Sequence, residues 1–204
     1  MKTVENYDNM AEEYAKRIEK AAPLVEIRKF LKLLPKKAKI LDLACAAGRD
    51  SRIFKSKGTT PIGVDLSAKL LAIARKKNPK IKFVLADVRK LPFGQKVFDG
   101  VWAGGILHHF SKKGMLLVLR EANRVLKKNG VLCVTTKMGR GVWKGTDALS
   151  PKTRRELILL SVEEVEELMQ KAGFAVASIY SWNEKNRRKN GRNLEWVSAF
   201  AIKE

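Results

Sequence analysis

The chain is short of sulfur, of acid and of long apolar runs. Two cysteines, Cys45 and Cys133, stand in 204 residues. They cannot build a disulfide framework, and their scarcity fits a reducing, cytosolic compartment. The longest stretches without a formal charge run from Gly100 to Ser111 and from Ala172 to Asn183. A membrane-spanning helix needs about 20 apolar residues, so none is expected. Residues 1–14 carry Glu5, Asp8, Glu12 and Glu13 and lack the apolar centre of a secretory signal. No Cys/His cluster has metal-ligand spacing, and the two histidines, His108 and His109, are adjacent.

Acid is scarce against base. Lys and Arg number 42, Asp and Glu 21, for a net charge of +21. A magnitude of roughly 2–8 is ordinary for a small domain. The excess is +4 over residues 1–41, +8 over 42–110, +9 over 111–160 and zero over 161–204. Thermophilic ion-pair networks raise Glu alongside Lys, but here 28 Lys face 14 Glu. Five of the seven Asp (Asp42, Asp50, Asp65, Asp87 and Asp99) fall between positions 42 and 99. Their clustering in so basic a chain suggests an acidic pocket.

The pattern of apolar residues sets the fold class. Val4, Tyr7, Met10, Ala11, Tyr14 and Ile18 recur at helical spacing, and Pro23 opens a second helix that Pro35 stops. Short apolar runs then alternate with helices. Strands are expected at Ile40–Ala44, Pro61–Asp65, Ile81–Ala86, Phe98–Ala103 and Val131–Thr136. Ser67 and Ser111 cap intervening helices. Ser161 and Glu164 have capping-box spacing, and Gly173 ends that helix. Phe174–Trp182 and Leu194–Ile202 are two last strands around a basic tip, Asn183–Asn193. Residues 138–160 read as a loop or a short helix from Arg154 to Leu160. The expectation is a Rossmann-like α/β fold: a doubly wound, seven-stranded sheet, mostly parallel with an antiparallel last strand.

In such sheets ligands bind at the carboxyl ends of the strands. Those ends carry Asp42 to Gly48, Asp65, Asp87 and Ala103 to His109. Here the sequence resembles the class I S-adenosylmethionine-dependent methyltransferases. Ile-Leu-Asp-Leu-Ala-Cys-Ala-Ala-Gly-Arg-Asp (Ile40 to Asp50) is similar to their first motif, and Gly-Val-Asp-Leu-Ser (Gly63 to Ser67) to the second. Ala-Asp-Val-Arg-Lys-Leu-Pro-Phe (Ala86 to Phe93) resembles the third. Phe-Asp-Gly-Val-Trp (Phe98 to Trp102) with Leu-His-His-Phe (Leu107 to Phe110) resembles the fourth. Arg124 to Gly130 resembles the entry to the fifth strand, and Tyr7 to Tyr14 the helix preceding the core.

The resemblance implies one domain: helices over 1–38 closing on the cofactor site, a core over 39–204, and a substrate-side flap at about 138–160. It implies S-adenosylmethionine as cofactor. Asp65, with Leu66 beside it, would take the ribose hydroxyls, and Asp87 and Val88 the adenine. Asp42, Ala44, Ala46 and Gly48 would form the loop near the methionine, Ala103 would lie beside it, and Tyr14 would close over it. Two positions depart from the family pattern, Ala44 and Ala46, where Gly is usual. A positive φ at Ala46 would cost roughly 1–2 kcal/mol. His108 is the candidate general base, with His109 as alternative. The nicotinamide-binding Rossmann fingerprint shares the small residues after the first strand, but leaves Asp87 and the later motifs without a role.

The acceptor would be an oxygen, nitrogen or sulfur nucleophile. Ala103-Gly104-Gly105-Ile106 replaces the Asn/Asp-Pro-Pro-Tyr of amino-methylating enzymes, and neither cysteine suits covalent attack on a pyrimidine. Transfer RNA or another RNA is the favoured acceptor, gripped through Arg140, Lys144, Arg154 and Arg155 of the flap and Lys185, Arg187 and Arg188 of the tip. Lys152, Lys189 and Arg192 add to the same charge. A small molecule is the alternative, in an apolar pocket over Ala103 to His109 lined by Trp102 and Trp143. A third reading is a non-catalytic RNA-binding protein on a decayed methyltransferase fold.

Overall fold

Seven strands build the central sheet of the computed structural model, which describes residues 2–147, 150–187 and 193–204. In chain order the strands are β1 (Lys39–Leu43), β2 (Thr60–Asp65), β3 (Lys82–Leu85), β4 (Phe98–Gly104), β5 (Leu126–Lys137), β6 (Gly141–Asp147), β7 (Ser150–Leu159), β8 (Phe174–Asn183) and β9 (Glu195–Lys203). The sheet order is β3-β2-β1-β4-β5-β9-β8, and β6 and β7 form a separate hairpin. β1 to β5 pair in parallel, and β9 enters antiparallel between β5 and β8. The seven-stranded, mostly parallel architecture read from the sequence is therefore the one formed. The strand order reverses at β1, where β2 and β4 flank it, and a cleft opens there beyond the carboxyl ends.

The helices are α1 (Lys2–Asn9), α2 (Ala11–Glu19), α3 (Leu24–Lys32), α4 (Arg49–Ser56), α5 (Ala68–Lys77), α6 (Lys112–Val125) and α7 (Val162–Lys171). In α6, Met115, Val118, Leu119, Ala122 and Val125 follow helical spacing and are fully buried. They meet Leu41, Leu43, Val101 and Leu132 from the sheet in the main core. On the opposite face α3 brings Ile27 and Phe30 against Phe54, Trp102 and Phe200. The serine caps form: Ser67 accepts from the Leu70 amide, Ser111 from Gly114, and Ser161 with Glu164 completes a capping box.

Two local expectations change. The first amphipathic run divides at Met10 into α1 and α2, and Asp8 at the end of α1 accepts from the Ser67 hydroxyl and the Lys69 amide. That bond ties α1 to the start of α5. Residues 138–160 are neither a loop nor a helix; they contain the β6–β7 hairpin. Its strands satisfy each other's backbone groups, with Trp143 opposite Leu157 and Val142 opposite Ile158. Only the cross-strand pairing reveals that pattern, since each strand alone lacks a clean alternation. Among the described residues, no helix is long and apolar enough to cross a membrane.

Candidate cofactor and acceptor site

The loop after β1 is the floor of the cleft. Ala44 (φ 53°), Ala46 (φ 48°) and Gly48 (φ 77°) all take left-handed backbone. This zigzag turns the Ala46 amide toward β2, where it donates to Asp65 Oδ2 at 2.9 Å. The Ser67 amide donates to Oδ1, also at 2.9 Å. The carboxylate is thereby fixed at the lip of the cavity. Burial pushes its pKa up, and these amide donors oppose the shift. Gly48 serves the turn from behind: an added Cβ would lie 2.8 Å from Phe83 Cζ.

A cavity of about 290 Å³ opens above this loop. Tyr14, Ala44, Ala46, Asp65, Leu66, Asp87 and Val88 line it, together with Tyr7, Gly104, Gly105 and His109. Small-molecule sites span roughly 300–1,000 Å³, so it lies just below that range. Asp87 is gripped by Arg89, whose Nη2 donates at 2.6 Å and whose amide donates at 2.8 Å. Those hydrogen bonds hold the Asp87 carboxyl below its usual range.

Asp42 is in an adjoining chamber of about 60 Å³ with Arg49, Asp50 and Tyr14. It is buried and accepts from Ser51 Oγ at 2.6 Å. Burial, then the nearby Asp50 charge, pushes its pKa up to about 8. Asp50 accepts two bonds from Arg49, and a third from Trp102 Nε1 at 3.1 Å. Arg49 also donates to the Ile18 carbonyl, joining α4 to α2. Asp99 is at the far end of β4 and accepts from the Lys39 amide and Lys127.

The structure thus brings Tyr14, Ala44, Ala46, Asp65, Leu66, Asp87 and Val88 around one cavity and sets Asp42 beside it. It does not bring Gly48 or Ala103 to the wall. Ala103 packs in the main core because side chains alternate along β4, and the cavity meets the Gly104–Gly105 backbone instead. Trp102 is also removed from any pocket: it is fully buried against Phe30 and Phe54. Trp143 stands on the hairpin with Lys137 Nζ 5.1 Å from its ring centre.

A second chamber of about 100 Å³ shares Tyr7, Tyr14, Gly104, Gly105 and His109 with the first. Trp182 and Trp196 line it, stacked with centroids 5.9 Å apart. A third cavity of about 280 Å³ lies under the hairpin and again includes Tyr7 and His109. These two residues stand where all three spaces meet. The sequence placed Tyr7 on the run that precedes the core without a role at the site; its ring stands edge-on to that of Tyr14, centroids 4.9 Å apart, across the break between α1 and α2.

The adjacent histidines differ sharply. His108 is buried, and the Lys137 amide approaches its Nδ1 at 3.4 Å with Thr136 Oγ1 at 3.3 Å. An amide only donates, so Nδ1 is the acceptor and the proton is assigned to Nε2. Burial holds its pKa well below the usual histidine value, and His109, Lys137 and Arg155 add to the effect. His109 instead has Nε2 3.3 Å from Tyr7 Oη, which accepts from Arg155 Nη1 at 2.9 Å.

The basic segments are also partly committed to the fold. Arg155 is buried and faces inward. Arg187 pairs with Glu26, a buried residue of α3, and stacks over Trp182 at 4.3 Å. Lys144 pairs with Glu156 at 3.2 Å. Arg140, Arg154 and Lys185 are exposed, while Arg188, Lys189 and Arg192 lie outside the described residues. Among the described residues no group of three His, Cys, Asp or Glu is placed to hold a metal.

Known proteins match this picture. Residues 40–130 match the methyltransferase domain family. The fold and the motif order are those of the class I S-adenosylmethionine-dependent methyltransferases, and the matched segment spans somewhat under half of the chain. It is 40% identical over 119 residues to a malonyl-[acyl-carrier protein] O-methyltransferase of Legionella pneumophila, covering 55% of this chain and 40% of that protein. It is 37% identical over 98 residues to a demethylmenaquinone methyltransferase of Thermotoga maritima, covering 47% and 42%. The chain thus spans about two fifths of the length of these relatives. The crystal structure of the Burkholderia thailandensis 1,6-didemethyltoxoflavin-N1-methyltransferase, with 1,6-didemethyltoxoflavin and S-adenosylhomocysteine bound, superposes with a TM-score of 0.76. Its sequence is 22% identical, and the match covers 98% of this chain and 88% of that one.

Proposed function

We propose that the protein transfers a methyl group from S-adenosylmethionine to an oxygen or nitrogen atom of a small molecule. The observation that carries this reading is the junction at Tyr7 and His109 between the cavity holding Asp65 and Asp87 and the two chambers behind it. The cofactor supplies a methyl group already activated on a sulfonium, so the protein's work is chiefly proximity and alignment. Asp65 presents a carboxylate for the ribose hydroxyls, Asp87 and Val88 border the adenine, and Leu66 covers the open side. Asp42, Ala44 and Ala46 form the methionine end with Arg49. Tyr14 lies across all of it, and α1, α2 and the hairpin are the cover over the site.

His109 is the base in this proposal, in place of His108, whose Nδ1 already accepts the Lys137 amide. His109 Nε2 stands 3.3 Å from Tyr7 Oη, which places its ring at the junction of the three spaces. The chambers are small, and one relative and one structural neighbour carry small-molecule names. Arg155 and Arg187 are turned inward or paired rather than offered to a polyanion. These points favour a small acceptor over RNA.

Calorimetry with S-adenosylhomocysteine tests the cofactor half of the proposal, with saturable binding expected. Asp65→Ala should weaken it by about 2–4 kcal/mol, as expected for loss of charge-assisted hydrogen bonds in a buried site. No heat from the unaltered protein would support the decayed-fold alternative, and an unchanged dissociation constant in the variant would remove the role given to Asp65.

A further inference from the structure

We infer that the acceptor carries an anionic group, and that Arg155, delivered by β7, receives it; this rests on the methyl-transfer reading above and names the class of its substrate. Arg155 comes from the hairpin, outside every motif of the cofactor half, and yet only 9% of it is exposed. It lines both the Trp182–Trp196 chamber and the cavity under the hairpin. Its bond to Tyr7 Oη orients the guanidinium beside the junction with His109. A planar guanidinium fork matches a carboxylate or phosphate in two parallel hydrogen bonds.

The surrounding charge has the same sign. Lys137, also buried, stands on the wall of the Trp182–Trp196 chamber with Arg155 and Arg49. The carboxylate described on that wall is Asp50, already engaged by Arg49 and the Trp102 indole. The cavity under the hairpin is lined by Lys144, Arg154 and Arg155 with Glu156, which Lys144 pairs at 3.2 Å. Of these cations Arg155 and Lys137 are buried, and positive charge held away from water favours an anion.

Aromatic stacking offers no comparable grip. Trp182 is already engaged by Arg187 over its ring and by Trp196 stacked beside it. His108 packs edge-on to Trp196, with ring centroids 6.0 Å apart. Among the aromatic and aliphatic walls of the chamber, Arg49, Lys137 and Arg155 supply the positive charge.

The test is a titration of benzoate and of benzamide, its neutral counterpart, into the full chain at low ionic strength, with and without saturating S-adenosylhomocysteine. Benzoate should bind and benzamide should not. Arg155→Gln should weaken benzoate at least about thirtyfold, Arg155→Lys should weaken it less, and both should leave S-adenosylhomocysteine affinity within about twofold of the unaltered protein. Benzoate binding no better than benzamide, or equal in Arg155→Gln, would overturn the inference. Retained S-adenosylhomocysteine binding with unchanged benzoate binding would fault the anion site alone. Loss of S-adenosylhomocysteine binding by the unaltered protein would fault the cofactor reading, while the benzoate arm still decides the anion site. A second readout concerns the natural acceptor. With labelled donor and cell extract, acceptor activity should be retained on an anion-exchange resin as a small molecule. Activity in the neutral flow-through, or in RNA, would refute an acidic small acceptor.

Discussion

Replacing Ala44 and Ala46 by glycine should make the protein more stable, by amounts the backbone sets. Both residues hold left-handed conformations, with φ of 53° and 48°. That conformation costs a residue bearing a Cβ roughly 1–2 kcal/mol. Glycine removes the cost but gives the unfolded chain more freedom, worth about 0.4–1 kcal/mol against folding. The Ala44 methyl is only half-buried, so Ala44→Gly should gain about 0.5–1 kcal/mol. Ala46 packs against the cluster of Ala11, Ala15, Ile18, Ala47 and Leu70, and loss of that contact should hold its gain to roughly 0–0.5 kcal/mol. The double variant should therefore melt about 2–4 °C higher, since 1 kcal/mol moves Tm by about that much in a chain of this size. Ala47 is the control: it is buried, its φ is negative, and Ala47→Gly should destabilise by about 1 kcal/mol. Differential scanning calorimetry reads the parent and the four variants. An Ala44→Gly variant that melts no higher than the parent would refute the strain argument. S-adenosylhomocysteine affinity should hardly change, because the Ala46 amide still reaches Asp65.

Arg187→Ala should destabilise by about 3–5 kcal/mol in a denaturant titration, because it strands the Glu26 carboxylate in the interior with Tyr180 as its other described partner; a loss under 1 kcal/mol would mean the tip is a solvated surface after all. His109→Ala should lower kcat about 10²–10⁴-fold, and His108→Ala should act mainly on stability; the reverse order in a methyl-transfer assay would restore His108 as base. Stability should also depend on pH in a defined direction. Asp42 binds its proton with a pKa of about 8 in the fold against 3.8 in the open chain, so the folded state holds an extra proton between those values and loses stability as pH rises through them. Asp65 acts in the same direction. His108, depressed below 6.5, acts oppositely: the unfolded chain takes the extra proton below that value, and stability rises with pH until it is passed. Above pH 7 the Asp42 effect remains, and Tm should fall toward pH 9. Asp42→Asn should flatten that fall, and an unaltered slope would show that Asp42 is ionised throughout.

Much of this molecule was legible because chemistry and periodicity coincided. The strand-end acids Asp65 and Asp87 and the αL-prone loop between Asp42 and Gly48 are local in sequence, and the sheet placed them together. Ala46 was read as a strained position if its φ were positive, and it is. What stayed hidden depends on contacts between distant segments. The β6–β7 hairpin exists through cross-strand pairing, and neither strand announces itself alone. Ala103 and Trp102 were assigned to the cavity wall by proximity to the fourth motif, but one residue along a strand reverses the face, and both turned into core. The choice between His108 and His109 needed Lys137 and Tyr7, which lie 29 and 102 residues away from them.

The positive charge shows the same limit. A count along the chain treats every Lys and Arg as equally available, whereas availability is a property of the fold. Arg187 neutralises a buried Glu26 from 161 positions away, and Arg155 is turned toward Tyr7 from 148. An Arg placed inside a cleft attracts a single small anion strongly, because low dielectric and a fixed fork concentrate its effect. The same Arg on an open face contributes one weak, salt-screened contact to a polymer. The excess charge therefore tells against a polyanion where it is folded inward and speaks for one only where it stays exposed, as at Arg140, Arg154 and Lys185.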